Sequence, residues 1–166
     1  MKGKIMAQIL IEAELGEVLR TSGLTICTAE SCTGGLIAHL LTNIAGSSAY
    51  LLGGIIAYSN PIKQHLLHVQ EQTLIDFGAV SQQTAAEMAE SARQVFGADY
   101  ALSVTGIAGP GGGTEAKPVG LTYIGLAGIY GVIEVERHVW QGDREANKIA
   151  SAEAAMQMAL EYIRSH

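Results

Sequence analysis

The chain has 166 residues, of which 48% are hydrophobic and 16% are charged, and its formal net charge is −6. This length and composition predict one globular domain over residues 1–166 and argue against intrinsic disorder. The acidic balance, without a block of basic residues, argues against binding to a nucleic-acid backbone, and no apolar run reaches the roughly 18–20 residues that cross a membrane.

The chain opens with two lysines among its first four residues, which resembles the start of a secretion signal. The three glutamates at positions 12, 14 and 17 follow too soon for the apolar part of such a signal, so we expect a cytoplasmic protein. Cys27 and Cys32 are then expected to be reduced, with Cys27 in the core. No cysteine–histidine spacing predicts a zinc site.

The first elements place a serine in a turn. Residues 6–22 predict a helix that ends at Gly23 and that faces inward through a set of apolar side chains, Ile11, Leu15, Val18 and Leu19. Glu12, Glu14 and Glu17 are expected outside this face. Residues 24–28 predict a buried strand, and residues 36 to about 43 predict a helix. Ser31 therefore lies where free helix N–H groups favour an anion. It either caps the helix or is a nucleophile beside an oxyanion site, and its position alone favours capping.

A second strand delivers a tyrosine and a lysine. The apolar run 51–57 predicts a buried strand that ends at Tyr58, and Asn60 before Pro61 predicts a helix start. Lys63 then lies in the first helical turn, where the helix dipole disfavours a cation. A charge in that position hints at function, although position alone still favours a solvated surface residue.

A glycine-rich loop follows the third predicted strand. Helices are predicted over 71–77, ending at Gly78, and from a Ser81 cap to about Phe96. Residues 99–105 predict the strand that runs into the loop 106–114, whose glycines let backbone N–H groups converge on an anion.

That loop is neither a P-loop nor a dinucleotide fingerprint. Lys117 is followed by Pro118, and no helix follows the pattern Gly111, Gly113 and Ala116. A flexible surface loop is the alternative to an anion-binding loop.

The last third predicts a hairpin and a helix. Val119–Gly128 and Val132–Val139 form the hairpin, and Asp143 caps the helix. The helix is predicted to face inward through Ile149, Ala152, Met156, Ala159, Leu160 and Ile163. Arg144 at the helix start opposes the dipole, which makes sense if it binds a carboxylate or a phosphate.

This order of elements predicts a layered α/β domain with a mixed sheet. Ligands bind beyond the carboxyl ends of parallel strands in such sheets. Ser31, Tyr58, Lys63, Thr105 and the glycine loop all follow the predicted strand ends, so we expect them to cluster.

Ser31 and Lys63 are the best nucleophile and base, because lysine can act as a base once burial lowers its pKa. Tyr58 could relay or hold the proton. Thr33 and the backbone N–H groups of residues 33–35 could supply the oxyanion site, and Arg144 with the loop 106–113 could hold a phosphate. The residues thus favour hydrolysis of an amide or ester on a small phosphorylated substrate.

Six motifs occur in one order: Ala29–Gly35, Gly46–Ser48, Tyr58–Asn60 with Lys63, Gly78–Ser81, Gly106–Pro110 and Gly142–Arg144. Together they resemble the C-terminal domain of the competence/damage-inducible protein CinA, over about residues 8–164. The other domain of that family is absent, so the chain looks like the standalone nicotinamide-nucleotide amidohydrolase.

The resemblance implies a three-layer α/β/α fold with a mixed sheet of about five strands. It implies hydrolysis of nicotinamide mononucleotide to nicotinate mononucleotide and ammonia, in pyridine-nucleotide salvage, with no metal and no organic cofactor. It assigns the catalytic positions to Ser31, Lys63 and Tyr58. The substrate-binding positions that we expect are Glu30, Thr33, Gly34, Gly35, Thr105, Gly106, Gly109 and Arg144, and whether Glu30 acts or only caps the helix stays open.

Two alternatives remain at this point. The same pocket could belong to a nucleotide sensor without turnover, or the protein could be a general esterase. We expect a small-molecule mononucleotide as the partner, with no nucleic acid and no membrane. A free hairpin edge favours a homo-oligomer.

Overall fold

The computed structural model describes residues 10–166 as an α/β domain with one five-stranded sheet. The strands are β1 (Ile26–Glu30), β2 (Leu51–Ile56), β3 (Tyr100–Gly106), β4 (Leu121–Ala127) and β5 (Ile133–Val139). The helices are α1 (Ile11–Ser22), α2 (Leu36–Thr42), α3 (Asn60–Leu67), α4 (Glu71–Asp76), α5 (Gln82–Phe96) and α6 (Arg144–Ser165), with short 3₁₀ turns at Ser47–Ala49 and Ile129–Gly131.

The sheet is mixed, in the order β2-β1-β3-β4-β5. Strand β1 lies parallel to both β2 and β3, so the carboxyl ends of these three strands meet at one edge. Strands β4 and β5 continue the sheet as an antiparallel hairpin beside β3. The predicted order of parallel strands followed by a hairpin is confirmed.

Helices cover both faces of the sheet, which confirms the three-layer α/β/α architecture. One core cluster joins α1, α2 and α6 to the sheet through Leu15, Ile37 and Met156. The other cluster joins α5 to the opposite face through Met88 and Ala89. The sheet is therefore buried on both sides at its centre, where β1 and β3 run.

Local capping chemistry set several helix ends where the sequence predicted them. The Ser81 hydroxyl accepts from the Thr84 N–H at the start of α5, and the Asp143 carboxylate accepts from the Ala146 N–H at the start of α6. Gly23 ends α1 with a left-handed φ of 66°. Helix α3 begins at the predicted Asn60, with Ser59 as the residue before it.

Three expectations were wrong. Strand β2 is not buried, because it is the edge strand and its side chains alternate between half-buried and exposed. Ile149 is 40% exposed, because the inner face of this part of α6 is formed by the polar residues Asn147 and Ser151, which are buried. Glu12 was expected outside the apolar face of α1, yet it is buried. Residues 6–9 of the predicted first helix lie outside the described part of the chain.

Both cysteines are free and buried, as expected. Among residues 10–166, none of the helices combines the length and the apolar character that crossing a membrane requires. The cytoplasmic location stays a prediction.

Candidate active site

A cavity of about 250 Å³ lies at the sheet edge where β1, β2 and β3 end. Its lining includes residues that follow each of these strands, together with the first residue of α6. The predicted residues that line it are Ser31, Tyr58, Lys63, Thr105, Gly106, Gly109 and Arg144. The fold thus brings together side chains that are separated by up to 113 positions in the sequence (144 − 31).

Ser31 and Lys63 form a buried hydrogen-bonded pair at the base of this cavity. Lys63 Nζ lies 2.9 Å from Ser31 Oγ and 2.7 Å from the carbonyl oxygen of Ala57. The two residues are only 8% and 1% exposed. The alternative of a solvated surface lysine is therefore wrong, and the geometry is that of a nucleophile beside its base.

Backbone hydrogen bonds hold this pair in place. The Ser31 N–H donates to the Val104 carbonyl at 2.9 Å, which continues the β1–β3 ladder by one residue. The Ala57 N–H donates to the Glu30 carbonyl at 2.8 Å, which continues the β1–β2 ladder in the same way. The carbonyl that receives Lys63 is thus anchored to the strand that carries Ser31, so the pair is preorganised.

Burial also sets the protonation of the two candidate reactive groups. Burial lowers the pKa of Lys63, which favours the neutral amine that a base requires. Burial raises the pKa of Cys32 to about 11, so this neighbouring thiol stays protonated at neutral pH. The hydrogen bond of Lys63 goes to Ser31 and not to this thiol, so the serine is favoured as the nucleophile.

Glu30 caps α2 and does not line the cavity. Its carboxylate accepts from the N–H groups of Gly35 at 3.0 Å, Ile37 at 3.1 Å and Ala38 at 3.0 Å. The side chain is 1% exposed. Its position does not support the expected contact with substrate, and the acid instead occupies the N–H groups that begin the helix.

Two of the three backbone N–H groups expected to bind the oxyanion, those of Gly34 and Gly35, already have acceptors. The Gly35 N–H is bound by Glu30, and the Gly34 N–H donates to the Ser31 carbonyl at 3.1 Å. The backbone N–H groups of Cys32 and Thr33 have no oxygen acceptor among residues 10–166. The Thr33 hydroxyl is buried and also lacks a partner in the described chain. The donors beside Ser31 that no oxygen of the described residues accepts are therefore those of residues 32 and 33, which lie against the Cys32 sulfur.

Tyr58 and Arg144 meet at the rim of the cavity. Arg144 Nη2 donates to the Tyr58 hydroxyl at 3.0 Å, and Nη1 donates to the Gly109 carbonyl at 2.7 Å. Tyr58 is 62% exposed, and among the described residues its hydroxyl makes no hydrogen bond to Ser31 or Lys63. The proton relay expected of Tyr58 stays a prediction.

The glycine loop forms one wall of the cavity and is tied to its neighbours. A Cβ at Gly106 would lie 2.7 Å from the Leu121 carbonyl oxygen, so this close approach requires glycine. Gly109 has a φ of 91°, which also favours glycine. The Thr105 hydroxyl, at the start of the loop, donates to the Ala79 carbonyl at 2.6 Å, and Ala79 also lines the cavity.

Sequence reasoning missed a further tie to this loop. Asn147 is 2% exposed and donates from Nδ2 to the Ala108 carbonyl at 3.0 Å. Its Oδ1 accepts from the Gly142 N–H at 2.9 Å. The sequence signal that could have indicated this contact is the position of Asn147, one turn before the buried residues of α6. A polar side chain there needs a hydrogen-bond partner.

A larger hollow of about 720 Å³ lies between α1 and α6. Its lining includes Glu12, Glu14, Glu153 and Trp140, and the described residues around it place no nucleophile beside a base. We therefore place the active site at the smaller cavity, on the basis of its chemistry. Among the described residues, no group of three or more His, Cys, Asp or Glu side chains could hold a metal ion.

Comparison with known proteins identifies the family. The family model described as the CinA C-terminal domain matches residues 9–163. The nicotinamide-nucleotide amidohydrolase PncC of Enterobacter agglomerans is 46% identical over 156 residues, which cover 93% of this chain and 95% of that protein.

Other relatives are longer. A CinA-like protein of Chloroherpeton thalassium is 49% identical over 156 residues, which cover 92% of this chain. The chain spans 37% of the length of that protein, and the same share of relatives from Halothermothrix orenii and Moorella thermoacetica.

Solved structures agree with this fold. The competence/damage inducible protein CihA of Agrobacterium tumefaciens superposes with a TM-score of 0.87 at 40% identity, over 93% of this chain and 99% of that chain. A CinA superfamily protein of Klebsiella pneumoniae superposes with a TM-score of 0.90 at 31% identity, over 94% of this chain and 97% of that chain.

Proposed function

The chain belongs to the family of the CinA C-terminal domain, and from that premise we propose that it is an amidohydrolase that converts nicotinamide mononucleotide to nicotinate mononucleotide and ammonia. Similarity to the amidohydrolase of E. agglomerans over nearly the full length of both chains supports this substrate. The observation that carries the mechanism is the buried contact of 2.9 Å between Lys63 Nζ and Ser31 Oγ.

The first half of the reaction forms an acyl-enzyme. The neutral Lys63 amine takes the proton of the Ser31 hydroxyl, and Oγ attacks the carboxamide carbon of the substrate. The negative charge that develops on the carboxamide oxygen is stabilised by the N–H groups of Cys32 and Thr33, which no oxygen of the described chain accepts. The C–N bond then breaks, and the leaving ammonia takes the proton held on Lys63.

The second half releases the acid. Water attacks the ester carbonyl while Lys63 takes one of its protons, and the bond to Ser31 Oγ breaks as that oxygen recovers the proton. The balance is one water consumed and one ammonia released, and no step calls on a metal. The Ala57 carbonyl accepts one N–H of Lys63 throughout and thereby aims the amine at Ser31.

Arg144 and the glycine loop supply the contact with the phosphate in this proposal. The guanidinium carries five N–H donors, and its two bonds to Gly109 and Tyr58 leave donors for an anion. Because those two bonds also fix its direction, the cation is held over the cavity mouth and not free in solvent. This arrangement favours a substrate that carries a phosphate at one end and the amide at the other.

The test is ammonia release from nicotinamide mononucleotide by the purified protein, with and without a chelator. We expect release that survives the chelator and is lost in Ser31→Ala, while binding of the nucleotide is retained. Thermal stabilisation by the nucleotide without turnover would instead support a sensor, and equal activity on simple esters would support a general esterase. Full activity of Ser31→Ala would show that the nucleophile is wrong.

The same proposal places the reaction in pyridine-nucleotide salvage, since it converts an amide nucleotide to the corresponding acid. The cytoplasmic location and the homo-oligomeric state stay predictions. Ultracentrifugation of the protein at micromolar concentration tests the latter.

A further inference from the structure

The turn between α4 and α5, residues 77–80, forms part of the cavity wall. Ala79 and Val80 line the cavity. The backbone carbonyl of every residue in this turn accepts a hydrogen bond from a side chain. The donors come from the start of α5, the end of β3 and the loop after it, and they are Ser81, Thr84, Thr105 and Lys117.

Lys117 is the residue that clamps both ends of this turn. Its Nζ donates to the Phe77 carbonyl at 2.6 Å and to the Val80 carbonyl at 2.8 Å. Its own backbone closes a second turn, because the Lys117 N–H donates to Thr114 Oγ1 at 3.0 Å and its carbonyl accepts from the Thr114 N–H at 2.8 Å. The lysine therefore ties the turn 77–80 to the end of the glycine loop.

The fit around the ammonium is close. Gly78, between the two carbonyls, has a φ of 78°, and a Cβ there would lie 3.0 Å from Lys117 Nζ. Among the described residues, Lys117 makes no salt bridge to a carboxylate. Its positive charge is thus directed at backbone carbonyls, a use that is uncommon for a half-exposed surface lysine.

In contrast to the carbonyls of the turn, which all accept hydrogen bonds, two of its N–H groups have no acceptor in the part of the chain that is described. The N–H groups of Ala79 and Val80 have no acceptor within residues 10–166, although both residues line the cavity. Both residues are half-buried and line the cavity, so their N–H groups are open to a ligand that enters it. The carbonyl contacts fix the peptide planes and therefore the directions of these donors.

We propose that Lys117 is a positioning residue for the reaction, holding the turn 77–80 so that the N–H groups of Ala79 and Val80 bind an oxygen of the nucleotide. This inference rests on the proposed function. Loss of the clamp should weaken substrate binding and leave the chemistry of Ser31 and Lys63 largely intact.

The experiment compares Lys117→Met with Lys117→Arg and with a control, Arg20→Met. Arg20 is an exposed cation in the last turn of α1, paired with Glu17. Arg20→Met therefore removes one positive charge, as Lys117→Met does, but away from the cavity. For Lys117→Met we expect KM for nicotinamide mononucleotide to rise about tenfold with kcat within about threefold of wild type. Arginine keeps the charge and several donors, so it should restore most of the loss.

Hydrogen–deuterium exchange gives a second readout that does not depend on turnover. In Lys117→Met, a peptide covering residues 74–84 should exchange faster than in wild type, and Arg20→Met should show no change there. Unchanged exchange in Lys117→Met overturns the proposal. Faster exchange with unchanged KM also overturns it, because the lysine would then be only structural.

A failure of the proposed function is distinguishable from a failure of this inference. If the wild type releases no ammonia, the dissociation constant for nicotinamide mononucleotide, measured by calorimetry, replaces KM. The same tenfold weakening in Lys117→Met would support the clamp in a binding protein. Absence of binding by the wild type would overturn both proposals, whatever the exchange data show.

Discussion

Replacement of Glu30 by glutamine tests whether this buried acid is a helix cap or part of the chemistry. Its two carboxylate oxygens serve three N–H groups, with Oε2 accepting from Gly35 and Ile37 and Oε1 accepting from Ala38. Glutamine keeps one oxygen and turns an NH₂ group toward at least one of these donors. At least one buried N–H then loses its acceptor, and the remaining bonds lose the charge that strengthens them.

The expected cost follows from those counts. A hydrogen bond to a charged group contributes about 1.5–3 kcal/mol, and an unsatisfied buried donor costs about 1–3 kcal/mol. Because these two ranges partly describe the same lost bond, we expect the free energy of unfolding to fall by about 3–4 kcal/mol. For a domain of this size that corresponds to a fall in Tm of roughly 6–16 °C.

The assay is urea denaturation of Glu30→Gln beside a control, Glu17→Gln, whose side chain is exposed on α1. The control should change the free energy of unfolding by less than about 0.5 kcal/mol. Activity of the folded Glu30→Gln protein should stay within severalfold of wild type, since the acid does not line the cavity. A loss of turnover with a stability change below about 1 kcal/mol would refute the cap and return Glu30 to the chemistry.

Four further outcomes are expected. Burial lowers the pKa of Lys63, so the unfolded chain binds more protons at this lysine than the native chain does. The free energy of unfolding of the wild type, relative to that of Lys63→Met, should therefore rise with pH up to about pH 10. A difference in Tm that does not change with pH would contradict this. Turnover should fall in acid as the amine becomes protonated, and Lys63→Arg should be inactive in ammonia release at every pH, because arginine does not deprotonate. Arg144→Met should raise KM about 10- to 100-fold by loss of charge-assisted bonds, whereas Tyr58→Phe should change KM only severalfold; a larger loss of kcat in Tyr58→Phe would instead support the relay. In Gly125→Ala the added Cβ would lie 2.7 Å from the Ala85 carbonyl oxygen, so calorimetry should show a destabilisation of about 2–4 kcal/mol.

Local signals in the sequence predicted the fold well. The side-chain caps at Ser81 and Asp143 depend only on residues within the first turn of each helix, and both were placed correctly. The turn at Ser31 was equally local, because an apolar strand and an apolar helix flank it. The expectation for β2 was wrong because burial of a strand depends on its place in the sheet, which a run of apolar residues does not encode.

The candidate site was predictable to the level of which residues meet, and not of which atoms. That Ser31 and Lys63 are close followed from strand ends sharing one edge of the sheet. Two contacts depend on side-chain directions in the folded chain: the Ala57 carbonyl receives Lys63, and Glu30 binds the Gly35 N–H, one of the donors expected for the oxyanion. In the sequence, Lys117 bears only on the exclusion of a P-loop. Its contacts with the Phe77 and Val80 carbonyls, 40 and 37 positions away, leave no local signal in the sequence.

The Ser31–Lys63 pair and most of the cavity wall come from different parts of the chain, which bears on how this scaffold can change the molecule that it binds. The pair and the Ala57 carbonyl lie within residues 31–63. The turn 77–80, the glycine loop and Arg144 all lie between residues 77 and 144. Substitutions at exposed positions of the second stretch can therefore change the cavity wall without altering the contact between Ser31 and Lys63. Libraries confined to the exposed residues 111–116 are the natural starting point for evolving amidases with other substrates.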